Sequence, residues 1–150
     1  MDTGFQIAEI ELKYKTKVKP SQRLKLNSSS EVYELLLHIF DMDTIEYKEY
    51  FKIILLNKAN KVLGIHNLSI GGIDGTYADI RQILQIALLA NACGLIISHN
   101  HPSGELIPSI QDSKLTQAIK KACDFMNIKL LDHLIVSMES YYSFADEGLI

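Results

Sequence analysis

The stretch SHNHPSGELIPSIQD (residues 98–112) joins two kinds of secondary structure and decides how the chain is built. Its first residue ends the short apolar run GLIIS (residues 94–98), which is typical of a strand buried in a sheet. Pro102 and Gly104 predict a sharp turn, and Ser109 is well placed to cap a helix that begins there. The stretch therefore predicts a buried strand, a turn and a helix in direct succession.

Two histidines and one aspartate of this stretch are candidate metal ligands. His99 and His101 are two residues apart at the end of the strand, so their side chains face one side together, about 7 Å apart along the chain. Asp112 lies one turn inside the predicted helix and can lean back toward the loop. Two imidazoles, one carboxylate and an open fourth position describe a catalytic zinc site, although iron, manganese and cobalt remain alternatives. The structural alternative is a capping box formed by Ser109 and Asp112, with both histidines serving only as loop hydrogen-bonding groups.

Hydrophobic periodicity predicts further helices and strands on both sides of this junction. We predict strands at residues 5–14, 49–57, 61–70, 94–98, 129–138 and 141–145, and helices at residues 31–40, 80–92 and 109–128. The second and third strands are expected to form a hairpin, and residues 71–79 a turn-rich connection. This order predicts an α/β fold, more closely an α+β sandwich in which helices flank a mixed sheet.

Composition narrows the class of protein. A chain of 150 residues with 47% hydrophobic and 22% charged residues is typical of one soluble globular domain. The net charge of −3 provides no general basic field for nucleic acid, although the lysines and arginine between residues 13 and 25 leave a local basic patch open. Cys93 and Cys123 lack CxxC spacing, which favours buried thiols in a reducing compartment. Neither a signal-peptide layout nor an apolar run of about 18 residues is present, so we expect a cytoplasmic protein that does not enter a membrane.

The residues that carry the candidate site also carry a family resemblance. HNHPSG followed by PSIQD resembles the His-x-His-Pro and Ser-x-x-Asp motif of the JAMM (MPN/JAB) metalloproteases, and most closely that of the bacterial RadC proteins. EYFKIILLNKANKVL, GGIDGTYADIRQILQIALLANACGLIISHNHPSG and LLDHLIVS are similar to the RadC pattern in order and spacing. The resemblance implies a JAB/MPN domain of cytidine-deaminase-like fold over residues 46–150. Residues 1–45 would then be an N-terminal strand and helix extension packed on that domain.

The resemblance implies that one zinc ion is held by His99, His101 and Asp112. It further implies that Ser109 helps to hold a tetrahedral intermediate and that a catalytic glutamate lies on an early strand, where Glu49 stands.

The alternation of residues along the predicted strand bears on the role of Glu49 independently of the resemblance. Alternation along the strand puts Glu49 in line with an apolar face, where a carboxylate is costly without a partner. Glu46 is the competing candidate, and a solvated Glu49 at a frayed strand start is the plain alternative. His133, within LLDHLIVS, is expected to support a ligand through a hydrogen bond that involves Asp132, or else to be an ordinary strand histidine. Asn100 and Ser103 are expected to line the loop, where they could contact substrate.

The resemblance, together with these residues, implies a zinc-dependent metallopeptidase-like hydrolase that cleaves an amide or isopeptide bond with activated water and a glutamate base. The expected partner is a peptide or protein substrate, and a homo-oligomer is a further expectation. RadC proteins are labelled DNA-repair proteins, so a role on or near DNA, or with mobile elements, is the alternative. A non-catalytic scaffold is a third class, against which the complete set of ligands argues.

Overall fold

The computed structural model of the protein describes residues 4–71 and 78–150. In chain order its elements are a 3₁₀ turn at Pro20–Gln22, helix α1 at Ser29–Ile39, strands β1 at Tyr50–Leu56 and β2 at Val62–Ile70, helix α2 at Ile80–Leu89, strand β3 at Gly94–Asn100, helix α3 at Ile110–Phe125, and strands β4 at Lys129–Val136 and β5 at Tyr141–Ser143. Side-chain hydroxyl or carboxylate caps begin all three α-helices, at Ser28, Asp79 and Ser109.

The five strands form one mixed sheet in the order β2-β1-β3-β4-β5. Strand β1 is antiparallel to both β2 and β3, and β4 is antiparallel to β5. Strands β3 and β4 are parallel and are connected through α3. The hairpin between β1 and β2 turns at Asn60, which adopts a φ of 59°. The predicted fold class, a mixed sheet flanked by helices, is confirmed.

Both faces of the sheet are covered, because alternate residues of the central strands enter two separate cores. Phe51, Ile53 and Leu55 of β1 pack with α2 and α3, whereas Ile54 and Leu56 pack with α1. Burial of each such side chain contributes about 1.5–3 kcal/mol of hydrophobic free energy. The result is three layers, with α1 on one side of the sheet and the other two helices on the opposite side.

The segment after β3 connects the sheet to α3 at the carboxyl end of a central strand. All seven residues of β3 are buried. Gly104 then turns the chain with a φ of 79°, and its backbone N–H donates to the carbonyl of His101 at 2.8 Å. In α/β sheets, ligand sites lie outside the carboxyl ends of the strands, which is where this segment leaves the sheet.

The strand predicted at residues 5–14 is wrong, since these residues have no strand assignment. Ile7, Ile10 and Leu12 are exposed there. Alternating apolar residues favour an extended chain, but they do not by themselves provide the neighbouring strand with which its backbone must pair. The helix of the N-terminal extension is confirmed as α1. The division of the chain into residues 1–45 and 46–150 stays a prediction.

Three smaller predictions concern the end of helix α2, the burial of the two cysteines and the connection at residues 71–79. Helix α2 ends at Leu89 rather than at residue 92, because Asn91 adopts a left-handed φ of 55°. Cys93 is exposed rather than buried, whereas Cys123 is buried as expected. The turn-rich connection at residues 71–79 lies largely outside the described residues. None of the helices in the described ranges combines the length and apolar character that crossing a bilayer requires.

Candidate metal centre

Strand β3 delivers two imidazoles to one point. His99 is the next-to-last residue of the strand and is buried, and His101 follows the strand by one residue. Both point to the face of the sheet that α2 and α3 cover, because side chains two residues apart on a strand share a face. Their Nε2 atoms are 3.0 Å apart. The two rings therefore converge, as the spacing of the motif predicts.

Helix α3 supplies a carboxylate to the same point. Asp112 Oδ1 lies 3.2 Å from Nε2 of His99, and Oδ2 lies 3.2 Å from Nε2 of His101. The same carboxylate closes a capping box, since Oδ2 accepts from the Ser109 backbone N–H at 2.8 Å while Ser109 Oγ accepts from the Asp112 N–H at 3.0 Å. The capping box and the candidate ligand are thus one arrangement and not alternatives: the cap orients the carboxylate toward the imidazoles.

Contacts within this cluster shift the pKa values of Asp112 and His101. Burial alone would raise the pKa of Asp112, but the contacts of its carboxylate with His101 and His99 outweigh burial and hold the pKa well below the usual range. The hydrogen bond to Asp112 raises the pKa of His101, although burial opposes this shift. The carboxylate therefore stays ionised, and in the metal-free protein His101 holds its proton more tightly than a free imidazole.

The distances fit a tetrahedral divalent ion. Donor atoms about 2.0–2.1 Å from such an ion lie about 3.3 Å from one another. The two imidazole nitrogens are 3.0 Å apart, and each has a different oxygen of Asp112 at 3.2 Å. One ligand atom from each of the three residues can be chosen so that all lie within 4.8 Å of one another. Two imidazole nitrogens and one carboxylate leave a fourth position open, which is typical of catalytic rather than structural zinc sites. These three side chains could hold one metal ion.

Each imidazole also makes a contact through Nδ1, the ring nitrogen that is not directed at the metal centre. His101 Nδ1 lies 2.8 Å from the Glu105 carbonyl oxygen, which can only accept, so Nδ1 carries the proton. His99 Nδ1 lies 2.8 Å from Nε2 of His133. His133 is fully buried and stacks on Phe144 with ring centroids 4.7 Å apart. Burial lowers its pKa well below the ordinary histidine value.

The expected partnership between Asp132 and the His133 ring is wrong. Asp132 Oδ1 accepts instead from the backbone N–H of His133 at 2.7 Å. The ring contacts Thr116, whose Oγ1 lies 2.6 Å from Nδ1. Sequence reasoning missed Thr116, although its position one helical turn after Asp112 could have indicated that both side chains lie on the same face of α3.

Glu49 lies beside the cluster, one residue before β1 begins. Its carboxylate is half-buried, and burial raises its pKa. The nearby His99 and His101 lower this pKa, while Asp112 raises it. These interactions bring Glu49 into the electrostatic environment of the candidate ligands, whereas Glu46 is exposed. The catalytic roles of Glu49 and Ser109 stay predictions.

Asn100, between the two histidines, fixes the segment that carries Glu49. Its side chain is completely buried and points to the opposite face of β3. The amide nitrogen donates to the carbonyls of Ile45 and Lys48 at 2.6 and 2.8 Å, and the amide oxygen accepts from the Tyr50 N–H at 2.8 Å. The expectation that Asn100 lines the loop and contacts substrate is therefore wrong. Its position between His99 and His101 could have indicated this, because adjacent residues of a strand face opposite sides of the sheet.

Fold and cluster together define an α+β domain with a candidate two-histidine, one-aspartate metal centre at the carboxyl end of a central strand. The chain belongs to the RadC-like JAB domain family, whose model matches residues 26–149. This confirms the resemblance to RadC proteins, and the matched residues include helix α1.

Curated relatives support the same assignment. The chain is 39% identical over 144 residues to a UPF0758 protein of Flavobacterium johnsoniae, which covers 95% of this chain and 62% of the relative. It is 44% identical over 104 residues to a UPF0758 protein of Porphyromonas gingivalis, covering 69% and 46%. A UPF0758 protein of Streptococcus sanguinis is 34% identical over 147 residues, covering 98% and 60%. The chain thus spans less than two thirds of the length of these relatives, and their shared name states no activity.

Proposed function

We propose that this protein is a zinc-dependent hydrolase of the JAMM type that cleaves an amide or isopeptide bond in a peptide or protein. The observation that carries the proposal is the convergence of His99, His101 and Asp112 on one point, with Glu49 beside them. A JAB-type fold is compatible with such chemistry. A homo-oligomer and a cytoplasmic location remain part of the proposal.

When bound, the ion would supply Lewis acidity, which lowers the pKa of water toward neutrality and polarises a carbonyl. His99, His101 and Asp112 would hold it, leaving one position open. The capping box contributes by keeping the Asp112 carboxylate directed at the imidazoles, so less ordering is needed when the ion binds.

Glu49 would act as the general base and then as the general acid. Its carboxylate takes a proton from the attacking water and afterwards delivers it to the leaving amine. Half-burial suits this role, because a raised pKa brings a carboxylate closer to the operating pH of a proton shuttle. The three hydrogen bonds of Asn100 hold the backbone on both sides of Glu49 in place.

Ser109 would stabilise the developing oxyanion. Its oxygen accepts from the backbone N–H of Asp112, which leaves the hydroxyl proton available to donate to substrate. Ile107 and Ile110 flank Ser109 and are 77% and 76% exposed. Exposed apolar side chains beside the site suit a peptide side chain better than a phosphodiester backbone, and the net charge of −3 does not favour nucleic acid.

Two measurements test the proposal. Elemental analysis of the purified protein should give one zinc per chain, and His101→Ala should lose it. A peptide-library screen should then identify a cleaved bond. On that substrate Glu49→Gln should keep zinc and lose at least about 100-fold in kcat, while the matched control Glu46→Gln keeps wild-type turnover. Full activity of Glu49→Gln would show that another group is the base.

A further inference from the structure

We propose that Thr116 and His133 form a relay that fixes His99 as the Nδ1–H tautomer, so that its Nε2 lone pair faces the metal centre. The relay rests on the proposed function only in taking His99 as a ligand. Thr116 and His133 are positioning residues, since they act through His99 and do not reach the ion themselves.

The relay begins at a backbone carbonyl of α3. Thr116 Oγ1 lies 2.7 Å from the carbonyl oxygen of Asp112 and 2.6 Å from His133 Nδ1. A carbonyl oxygen only accepts, and a threonine hydroxyl has one proton to give. The Thr116 proton is therefore directed at Asp112, and the proton between Thr116 and His133 must belong to His133 Nδ1.

The proton on His133 Nδ1 determines the role of the other ring nitrogen, Nε2, which faces β3. Its ring is 0% exposed and lies among aromatic rings, stacking on Phe144 at 4.7 Å and tilted against Phe51 at 6.2 Å. An imidazolium in such an apolar enclosure would be strongly disfavoured. A neutral ring that carries its proton on Nδ1 has a lone pair on Nε2, so His133 accepts from its neighbour in β3.

His99 ends the relay at the metal centre. Its Nδ1 lies 2.8 Å from His133 Nε2, so Nδ1 must carry the proton of this bond. When His99 holds a metal ion, its lone pair is then on Nε2, the atom that lies 3.2 Å from Asp112 Oδ1. The opposite polarity would place a proton on His99 Nε2 and block the ligand position.

The two histidines reach the same tautomer by different routes. His101 lies in the loop and donates directly to the carbonyl of Glu105. His99 lies within the sheet, where neighbouring strands already use the backbone carbonyls, so a side-chain acceptor replaces them. Asp112 anchors this arrangement twice, through its carboxylate at the centre and through its carbonyl at the far end of the relay.

The test reads tautomers and metal affinity separately from turnover. Two-bond ¹H–¹⁵N spectra of the full chain, without metal at pH 8 and with zinc, report which nitrogen of each ring is protonated. Zinc affinity is measured by competition with a chromophoric chelator. We expect His133 to show Nδ1–H in both states, and His99 to show Nδ1–H with zinc bound.

Thr116→Val removes the hydroxyl at nearly constant volume, and Thr116→Ser restores it. The valine variant should shift His133 toward Nε2–H and weaken zinc binding about 10- to 100-fold, as loss of a supporting hydrogen bond does at other metal sites. The serine variant should recover both. Ser98→Ala is the matched control, because its buried hydroxyl adjoins His99 in sequence but has no hydrogen-bond partner among the described residues.

A wild-type spectrum with His133 as the Nε2–H tautomer would overturn the relay, and this measurement stands even if the valine variant does not fold. Unchanged tautomers and unchanged zinc affinity in a folded Thr116→Val protein would also overturn it. Failure of the proposed function looks different: zinc bound and tautomers as expected, with no bond cleaved by the wild-type protein.

Discussion

Replacing Asp112 by alanine separates two tasks that one carboxylate performs. The substitution removes a candidate metal ligand and also opens the capping box of α3. Ser109→Ala opens the same capping box from the other side and leaves the three candidate ligands intact. Comparing the two variants therefore isolates the effect of the ligand from the effect of the cap.

The expected magnitudes follow from these contacts. Loss of either half of the cap should lower the free energy of unfolding of the metal-free protein by about 0.5–2 kcal/mol. Zinc at a free concentration of 100 times its Kd should stabilise the wild-type protein by about 2.7 kcal/mol. For a chain of this size that corresponds to a rise in Tm of about 5–11 °C.

A ligand deletion that weakens binding at least about 100-fold leaves about 0.4 kcal/mol of stabilisation at the same zinc concentration, or less than about 2 °C. The assay is thermal unfolding of chelator-treated protein with and without buffered zinc. Ser109→Ala should keep nearly the whole zinc-dependent rise, and Asp112→Ala should lose it. The reasoning would be refuted if Asp112→Ala kept a rise of wild-type size, or if Ser109→Ala lost it.

Three further outcomes are expected. Because the pKa of His101 is raised and the ring must lose its proton to bind metal, zinc affinity should fall about tenfold per pH unit below that pKa. Calorimetry in buffers of different ionisation heat should detect proton release on zinc binding that grows as the pH falls, and pH-independent affinity between pH 5 and 7 would contradict this. Asp132→Ala removes the acceptor of three hydrogen bonds, from the His133 N–H, Ser143 Oγ and the Ala145 N–H, and should cost about 3 kcal/mol in chemical denaturation, with Asp132→Asn costing less. Asn100→Ala should lower turnover on the identified substrate far more than it lowers zinc affinity, whereas equal losses would mean that Asn100 serves the ligands rather than Glu49.

The sequence predicted the parts of the fold that local patterns control. The β1–β2 hairpin follows from two apolar runs around the turn at residues 57–60, and α2 and α3 begin at the capping residues Asp79 and Ser109. The strand expected at residues 5–14 failed for the complementary reason. Its alternation is a local property, but a strand also needs a neighbour with which to pair, and residues 5–14 have no strand assignment even though β2 and β5 lie at the edges of the sheet.

The residues of the candidate site also fall into two groups: those that local sequence predicts and those that depend on the packing of distant elements. His99, His101 and Asp112 could be named because their spacing in one short stretch constrains where their side chains go. Thr116 and His133 are distant in sequence from His99, and their relation depends on how α3 and β4 pack against β3. Asn100 was misassigned because its contacts with residues 45–50 exist only once β1 lies beside β3.

Adjacent side chains of β3 face opposite sides of the sheet and make different contacts. This alternation limits which insertions and deletions the strand can tolerate. An insertion or deletion of one residue within Gly94–Asn100 would exchange the faces of every side chain beyond it. The histidines would then turn toward α1 and the asparagine toward the metal side, so both sets of contacts would disappear in a single event. Residues 106–108, which follow the Glu105 carbonyl that contacts His101, are not subject to this alternation, and variation in length should be tolerated there.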